Sequence, residues 1–273
     1  MHLNSLNYAL WLVSTGLEVV VCALAYRCGL QRRLPLFTAY LTLLVVSEVS
    51  VWSVYHLFGA GSWTAYDAAW TARAILLAAR GLAIGELCFH LLRSYPGVWA
   101  LAWRILLVVS CVFLLHAAVE SASRPYWLNT FVIALERDLE LAASAVLIAM
   151  LLIGRYYTLE MDSLERRIAA GLCVYSIARV MTSAVMVKAV ATHLPGWAGY
   201  QVWLDHAQTW WNSLQALASA CVLVLWAVAL RKPVSVARQA PSLLPASTYR
   251  ELSPEINFRL RALNTRLLEL LKQ

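Results

Sequence analysis

The chain has 273 residues, of which 61% are hydrophobic and 14% are charged, and its net charge is +7 at pH 7. This holds far more apolar surface than a water-soluble domain of that length buries, so the composition excludes a soluble domain and predicts a protein covered by lipid. Six cysteines are scattered singly, without the Cys or His spacing of a zinc site.

Seven apolar segments recur along the chain, each close to the roughly 20 residues that a helix needs to cross the hydrocarbon core. Their length and continuity favour helices over barrel strands. The prediction is an all-α, polytopic membrane protein, a bundle of seven transmembrane helices. The spans are placed near residues 6–26, 35–58, 67–92, 98–119, 128–153, 168–191 and 203–230.

Basic residues in the connections indicate orientation, because they are retained on the cytoplasmic side. The connections after the first, third and fifth spans contain Arg27, Arg32, Arg33, Arg93, Arg155, Arg166 and Arg167. The alternate connections contain Arg124, and the tail after the last span is basic again. We therefore expect a multi-pass protein of the cytoplasmic (inner) membrane, with its N-terminus outside and its C-terminus in the cytoplasm.

Ionisable side chains at membrane depth are the most informative feature of the sequence. Each costs about 2.5–3.5 kcal/mol at the bilayer centre, so these side chains should face the bundle interior and find partners. Arg73 and Arg80 share one face of the third span, and Glu136 and Glu140 lie one turn apart on the fifth. The predicted ligand site or polar network comprises Arg73, Arg80, Glu136, Glu140 and Arg179, with Glu18, Glu48 and Glu86 as secondary members.

This network has two interpretations at the level of sequence. The charges either pair with one another and fix which helices are neighbours, or they line a functional cavity. Arg137 and Asp138 point away from the Glu136–Glu140 face, so they contact a neighbouring helix or a partner chain, unless residues 136–140 lie at the membrane interface instead. Glu86 and His90 have the spacing of two metal ligands, but no second such pair is evident and no metal site is predicted.

The sequence lacks the motifs of well-known enzyme classes. There is no H-E-x-x-H, G-x-S-x-G or phosphate-binding glycine loop, so no catalytic residue is assigned and the sequence favours a non-enzymatic protein. Retinal is disfavoured because the lysines are Lys188, Lys232 and Lys272, and none lies in the seventh span. No cofactor is predicted.

Three regions follow from these patterns: a transmembrane domain over 1–231, an irregular proline-containing linker over 232–252, and an amphipathic cytoplasmic helix over 253–273. Ser253, Pro254 and Glu255 form a helix start. The apolar stripe of this helix consists of Ile256, Leu260, Leu263, Leu267 and Leu270. With flanking basic residues, it is expected on anionic inner-leaflet lipid or on the cytoplasmic end of the bundle; a protein partner is the alternative, and nucleic acid is not expected.

Gly81 and Gly85 have the four-residue spacing that lets membrane helices approach closely. This spacing predicts close packing within the bundle, with a homodimer through the same face as the alternative.

Three short segments carry a resemblance: Leu34-Pro35-Leu36-Phe37-Thr38-Ala39-Tyr40, Tyr95-Pro96-Gly97 and Glu136-Arg137. They resemble uncharacterised seven-helix membrane proteins of soil bacteria, notably acidobacteria. That group has no assigned activity, so the resemblance implies the fold and no site residue. The favoured function is a membrane sensor or small-ligand-binding module; the alternatives are a proton- or solute-handling transporter or intramembrane enzyme, and a structural subunit of a membrane complex.

Overall fold

The computed structural model describes residues 5–59, 62–93, 95–122, 127–156, 162–192 and 200–231, together with Phe258, Ala262, 264–267, 269 and 270 of the tail. These residues are helical or lie in short connections, without a β-strand among them. The helices are α1 (Ser5–Arg27), α2 (Pro35–Phe58), α3 (Trp63–Leu92), α4 (Pro96–Ser121), α5 (Trp127–Tyr156), α6 (Ser163–Thr192) and α7 (Tyr200–Arg231), with a 3-10 turn at Leu30–Arg32.

Five of these helices are long and apolar enough to cross a membrane, judged over the described residues: α2, α3, α4, and the Ser163–Val185 and Thr209–Arg231 parts of α6 and α7. The protein is therefore an all-helical membrane protein. Each of the seven predicted spans coincides with one described helix. That all seven cross the membrane stays a prediction.

Local chemistry sets several helix ends. Pro35 and Pro96 begin α2 and α4, where a missing N–H is not needed. Gly59 ends α2 with a φ of 79°, which a residue with a side chain rarely adopts. The Ser62 hydroxyl caps α3 by accepting a hydrogen bond from the Ala65 N–H.

Six helices form a closed ring in the order α1, α2, α3, α5, α6, α7 and back to α1. In this order α1 lies opposite α5, and α2 lies opposite α6. Helix α4 lies outside the ring against α5 and α3. Its outward side chains include Val108, Leu115 and Val119, which are strongly exposed and suit contact with lipid.

One half of the ring is filled by a continuous apolar core. This half lies where α1, α3 and α7 end and α2 and α6 begin, and we call it the basic end because Arg27, Arg93 and Arg231 mark it. Phe37 contacts Trp226 edge to face at 5.2 Å between ring centroids. The core also includes Leu41, Leu87, Leu91, Leu147, Met150, Ile168, Leu172 and Val222.

Close helix approach occurs at a glycine that the sequence did not single out. A Cβ at Gly171 of α6 would overlap the Trp226 indole of α7. In contrast, a Cβ at Gly81 would have no described atom within 4 Å, and one at Gly85 would meet Trp103 at an ordinary 4.0 Å. The expected close packing at Gly81 and Gly85 within the bundle is therefore wrong, because these glycines do not lie at a tight helix crossing.

Polar contacts join the helices at the basic end. Arg33 pairs with Asp162 at 3.1 Å, and His90 of α3 lies 3.3 Å from Glu165 of α6.

The tail also reaches this end, because the Asn264 Oδ1 accepts a 2.7 Å hydrogen bond from the N–H of Gly97 at the start of α4. Of the predicted tail stripe, Leu267 is half-buried and Leu270 exposed, while Ile256, Leu260 and Leu263 lie outside the described residues. The linker 232–252 lies outside them too.

Candidate functional site: a charged cavity within the helix ring

Glu136 of α5 is the centre of the buried charge network. Its Oε2 accepts from the Arg73 Nε at 2.9 Å and also contacts Arg73 Nη2. Its Oε1 pairs with Arg179 of α6, whose other Nη donates to the Gln215 Oε1 of α7. Glu136 therefore links α3 to α6 through two guanidinium groups, and Gln215 extends the network to α7.

Arg80 and Glu140 form a second pair, one turn further toward the basic end. The side chains are 7% and 2% exposed, so this ion pair is removed from solvent. The Arg80 guanidinium also lies 4.5 Å from the Tyr175 ring centroid and 5.8 Å from that of Tyr40. Aromatic faces stabilise a desolvated cation in this geometry. The pair therefore forms the floor between the network and the apolar core.

Two carboxylates on α1 and α2 belong to the same interior. Glu48 accepts a 2.6 Å hydrogen bond from the Trp11 indole N–H. Glu18 is buried, and its Oε2 has no hydrogen-bond partner among the described residues. A buried carboxylate oxygen normally has a partner, so this atom is able to accept a hydrogen bond from a donor outside the chain.

These groups line one cavity of about 420 Å³. Arg73, Arg80, Glu136 and Arg179 lie on its α3, α5 and α6 side, and Glu18, Glu48 and Trp11 on its α1 and α2 side. Helix α7 contributes uncharged polar side chains to the lining, namely Asn212, Ser213, Gln215 and Ser219. The cavity occupies the half of the ring opposite the basic end, and the apolar core closes it below.

The predicted network residues therefore meet at one place. Arg73, Glu136 and Arg179 are in direct contact, and Arg80 pairs with Glu140 beside them. Of the secondary residues, Glu18 and Glu48 line the same cavity.

Glu86 has a different position from the one expected of a site residue. Its carboxylate accepts hydrogen bonds from the backbone N–H groups of Leu36 at 3.1 Å and Phe37 at 2.8 Å. These are donors of the first turn of α2, which has no earlier carbonyl to bond. A negative charge there also interacts favourably with the positive end of the helix dipole. Glu86 thus caps α2.

Arg137 and Asp138 contact the neighbouring helix α4. Arg137 pairs with Glu120 at 3.1 Å and with Asp138 at 3.0 Å. His116 Nδ1 lies 2.8 Å from Asp138 Oδ2. The polar run 136–140 therefore divides between the ring interior, where Glu136 and Glu140 are buried, and the α4–α5 contact.

Sequence reasoning missed the uncharged members of the site. Tyr175 lies one turn before Arg179 on the same face of α6, and Trp11 lies two turns before Glu18 on α1. On α7, Asn212, Gln215 and Ser219 recur at helical spacing within an apolar segment. These spacings were the available signal, but each residue alone is common in membrane helices.

The chemistry of this cavity suits binding of a small polar molecule. In the described part of the chain, no three His, Cys, Asp or Glu side chains are grouped to hold a metal ion.

Comparisons with protein-family models, curated proteins and solved structures find no match for the chain. The site's own geometry is therefore the basis for assigning a function.

Proposed function

We propose that this membrane protein binds a small polar ligand in the cavity between α1, α2, α3, α5, α6 and α7, and acts as a receptor or sensor for it. The observation that carries the proposal is the 420 Å³ cavity, which is lined by charged side chains from five of its six helices. Ligand pockets are typically 300–1,000 Å³ and have few, convergent polar groups. Intramembrane charges are expensive to insert, and in membrane proteins they commonly mark ligand or ion sites.

A purely structural role accounts for part of the network. Glu136 with two arginines, and Arg80 with Glu140, are ion pairs that fix helix neighbours. It does not account for Glu18, whose buried Oε2 lacks a partner among the described residues and lies at the cavity wall. A buried carboxylate oxygen without a hydrogen-bond partner lowers stability, and a donor on a ligand would offset that cost.

A carrier is the second candidate, favoured by the position of the cavity in one half of the ring. A transported solute enters from one side while the other side is closed, and the Phe37–Trp226 core provides such a closure. In this alternative the core opens to release the solute. Uptake of a bound compound into proteoliposomes distinguishes the carrier from a receptor, which binds without accumulation.

Orientation and surroundings belong to the same proposal. The arginine distribution supports an N-terminus outside, a cytoplasmic C-terminus and a cavity in the outer half of the bundle. Exposed Leu270 and the basic tail support contact with anionic lipid beside the bundle end that Asn264 touches. The resemblance to the acidobacterial seven-helix group is retained as a proposal about relationship only.

The proposal is tested by a binding screen on the full chain in lipid nanodiscs. The library contains equal numbers of anionic, cationic, zwitterionic and neutral polar metabolites, and the readout is the thermal unfolding midpoint. A ligand at about 100 times its Kd stabilises the folded state by about 2.7 kcal/mol, so hits raise the midpoint measurably.

A matched pair of variants assigns each hit to the cavity. Ala72→Phe places a ring in the cavity wall, whereas Ala118→Phe adds the same ring on the exposed side of α4. We expect the hits to be lost with Ala72→Phe and kept with Ala118→Phe. A screen without hits, or hits that survive Ala72→Phe unchanged, would overturn the proposed function.

A further inference from the structure

The cavity has two walls of opposite charge. In the ring order α1 lies opposite α5 and α2 lies opposite α6, so Glu18 and Glu48 line a different side of the cavity from Glu136 and Arg179. The α1–α2 side carries carboxylates, and the side formed by α3, α5 and α6 carries the arginines. We call these the acidic wall and the basic wall.

The basic wall has one positive charge in excess. Arg73, Arg80 and Arg179 are balanced by only Glu136 and Glu140, which leaves three guanidinium groups against two carboxylates. Arg80 and Glu140 are almost fully buried as a pair. Arg73 lines the cavity and has the most accessible side chain of the three, at 30% exposure, so it is the arginine most open to an anionic group.

Among the described residues, the carboxylates of the acidic wall have no basic side chain beside them on that wall. Glu48 has the Trp11 indole N–H, and Glu18 Oε2 has no partner within the described residues although its residue is 93% buried from solvent, with 7% exposed. No arginine or lysine lies on the acidic-wall lining, which consists of Trp11, Ser14, Glu18, Leu44, Ser47, Glu48 and Val51. A ligand ammonium group would supply both charge and N–H donors to these carboxylates.

From these two walls we infer that the ligand is a small zwitterion, with an anionic group at Arg73 and an ammonium group at Glu18 and Glu48. The inference rests on the proposed function and names the ligand class of the same site. One water occupies about 30 Å³, so a 420 Å³ cavity admits a molecule of roughly a dozen non-hydrogen atoms. That is the size of an amino acid.

The test compares probes that differ in one charge. The probes are the α-amino acids with uncharged side chains, with the Nα-acetyl derivative of each amino acid as anion and its α-carboxamide as cation. Binding to the wild-type chain in nanodiscs is measured from the thermal midpoint across a concentration series. We expect one or more zwitterions to bind, and either modification to weaken binding by about tenfold or more, because each removes a charge-assisted contact.

A double variant, Glu18→Gln with Glu48→Gln, tests the assigned ammonium position. It keeps side-chain volume and removes the negative charge, so the penalty for N-acetylation should fall below about threefold while the penalty for the amide remains. The same change at Glu120→Gln, on the α4–α5 contact outside the cavity, should leave both penalties unaltered.

The outcomes separate this inference from the proposed function. Cavity hits in the metabolite screen that carry a single charge or none, with no binding by the zwitterionic probes, would overturn the zwitterion and leave the cavity a binding site. Zwitterions that bind no better than their N-acetyl derivatives would also overturn it. A screen without any cavity hit would remove the proposed function and this inference together.

Discussion

Glu136 is the residue on which most of the buried charge depends. Both of its carboxylate oxygens are engaged, one by Arg73 and the other by Arg179. Removing one partner of a buried ion pair is costly, because the remaining charge loses its compensation without regaining water. Here a single substitution leaves two guanidinium groups without their carboxylate.

We therefore expect Glu136→Gln to destabilise the fold by about 3–5 kcal/mol. Glu120→Gln is the matched control, since Glu120 pairs with Arg137 at an exposed contact where about 0–1 kcal/mol is expected. The measurement is the free energy of unfolding by denaturant titration in mixed micelles. Equal losses in the two variants would contradict the central role given to Glu136.

Charge made the network predictable at the residue scale, because ions within apolar segments are few and costly. Arg73, Arg80, Glu136, Glu140 and Arg179 stand out in the sequence for that reason. Glu86 stood out equally, yet it caps α2, since the sequence does not show which helix start lies beside it. Tyr175 and Gln215 were missed because uncharged polar residues cost little to insert.

Helix α6 shows why an element's packing was harder to predict than its bounds. The helix ends agreed with the apolar segments, proline positions and basic flanks of the sequence. The sequence did not predict which helix α6 packs against most closely. A small-residue pair such as Gly81 and Gly85 shows where a close approach is sterically possible, but it does not show that another helix lies there. Gly171 has no second glycine four residues away, so nothing in the sequence singled it out. In the structure, it is the glycine that accommodates Trp226.

This difference gives a prediction for two glycines. Gly171→Ala should destabilise the fold by about 1–3 kcal/mol, because its methyl group would overlap the Trp226 indole and force α6 and α7 apart. Gly81→Ala should be neutral or stabilising by up to about 1 kcal/mol, because a Cβ there meets no described atom within 4 Å and alanine favours helix. Thermal midpoints in one detergent provide the comparison, and a larger loss at Gly81 would show that its face is covered, for example by a second copy.

At the scale of the whole molecule, the described helices combine a closed ring of six with the apolar core at its basic end and the polar cavity at the other end. The ring order was not predictable, since hydropathy does not tell which helices are neighbours. Helix α4 has the highest mean hydropathy of the five candidate spans, and it is the helix outside the ring. The division into apolar core and polar cavity follows from the positions of the charged residues along α3, α5 and α6.

An experimental structure of the full chain in lipid nanodiscs, at a resolution that shows ordered water, tests the central claim most directly. We predict water or ligand density in the cavity within hydrogen-bond distance of the Glu18 and Arg73 side chains, with the Arg73–Glu136–Arg179 bridge intact. A collapsed, dry interior in which Glu18 pairs with a side chain of the chain itself would contradict the claim and make the charged cluster purely structural.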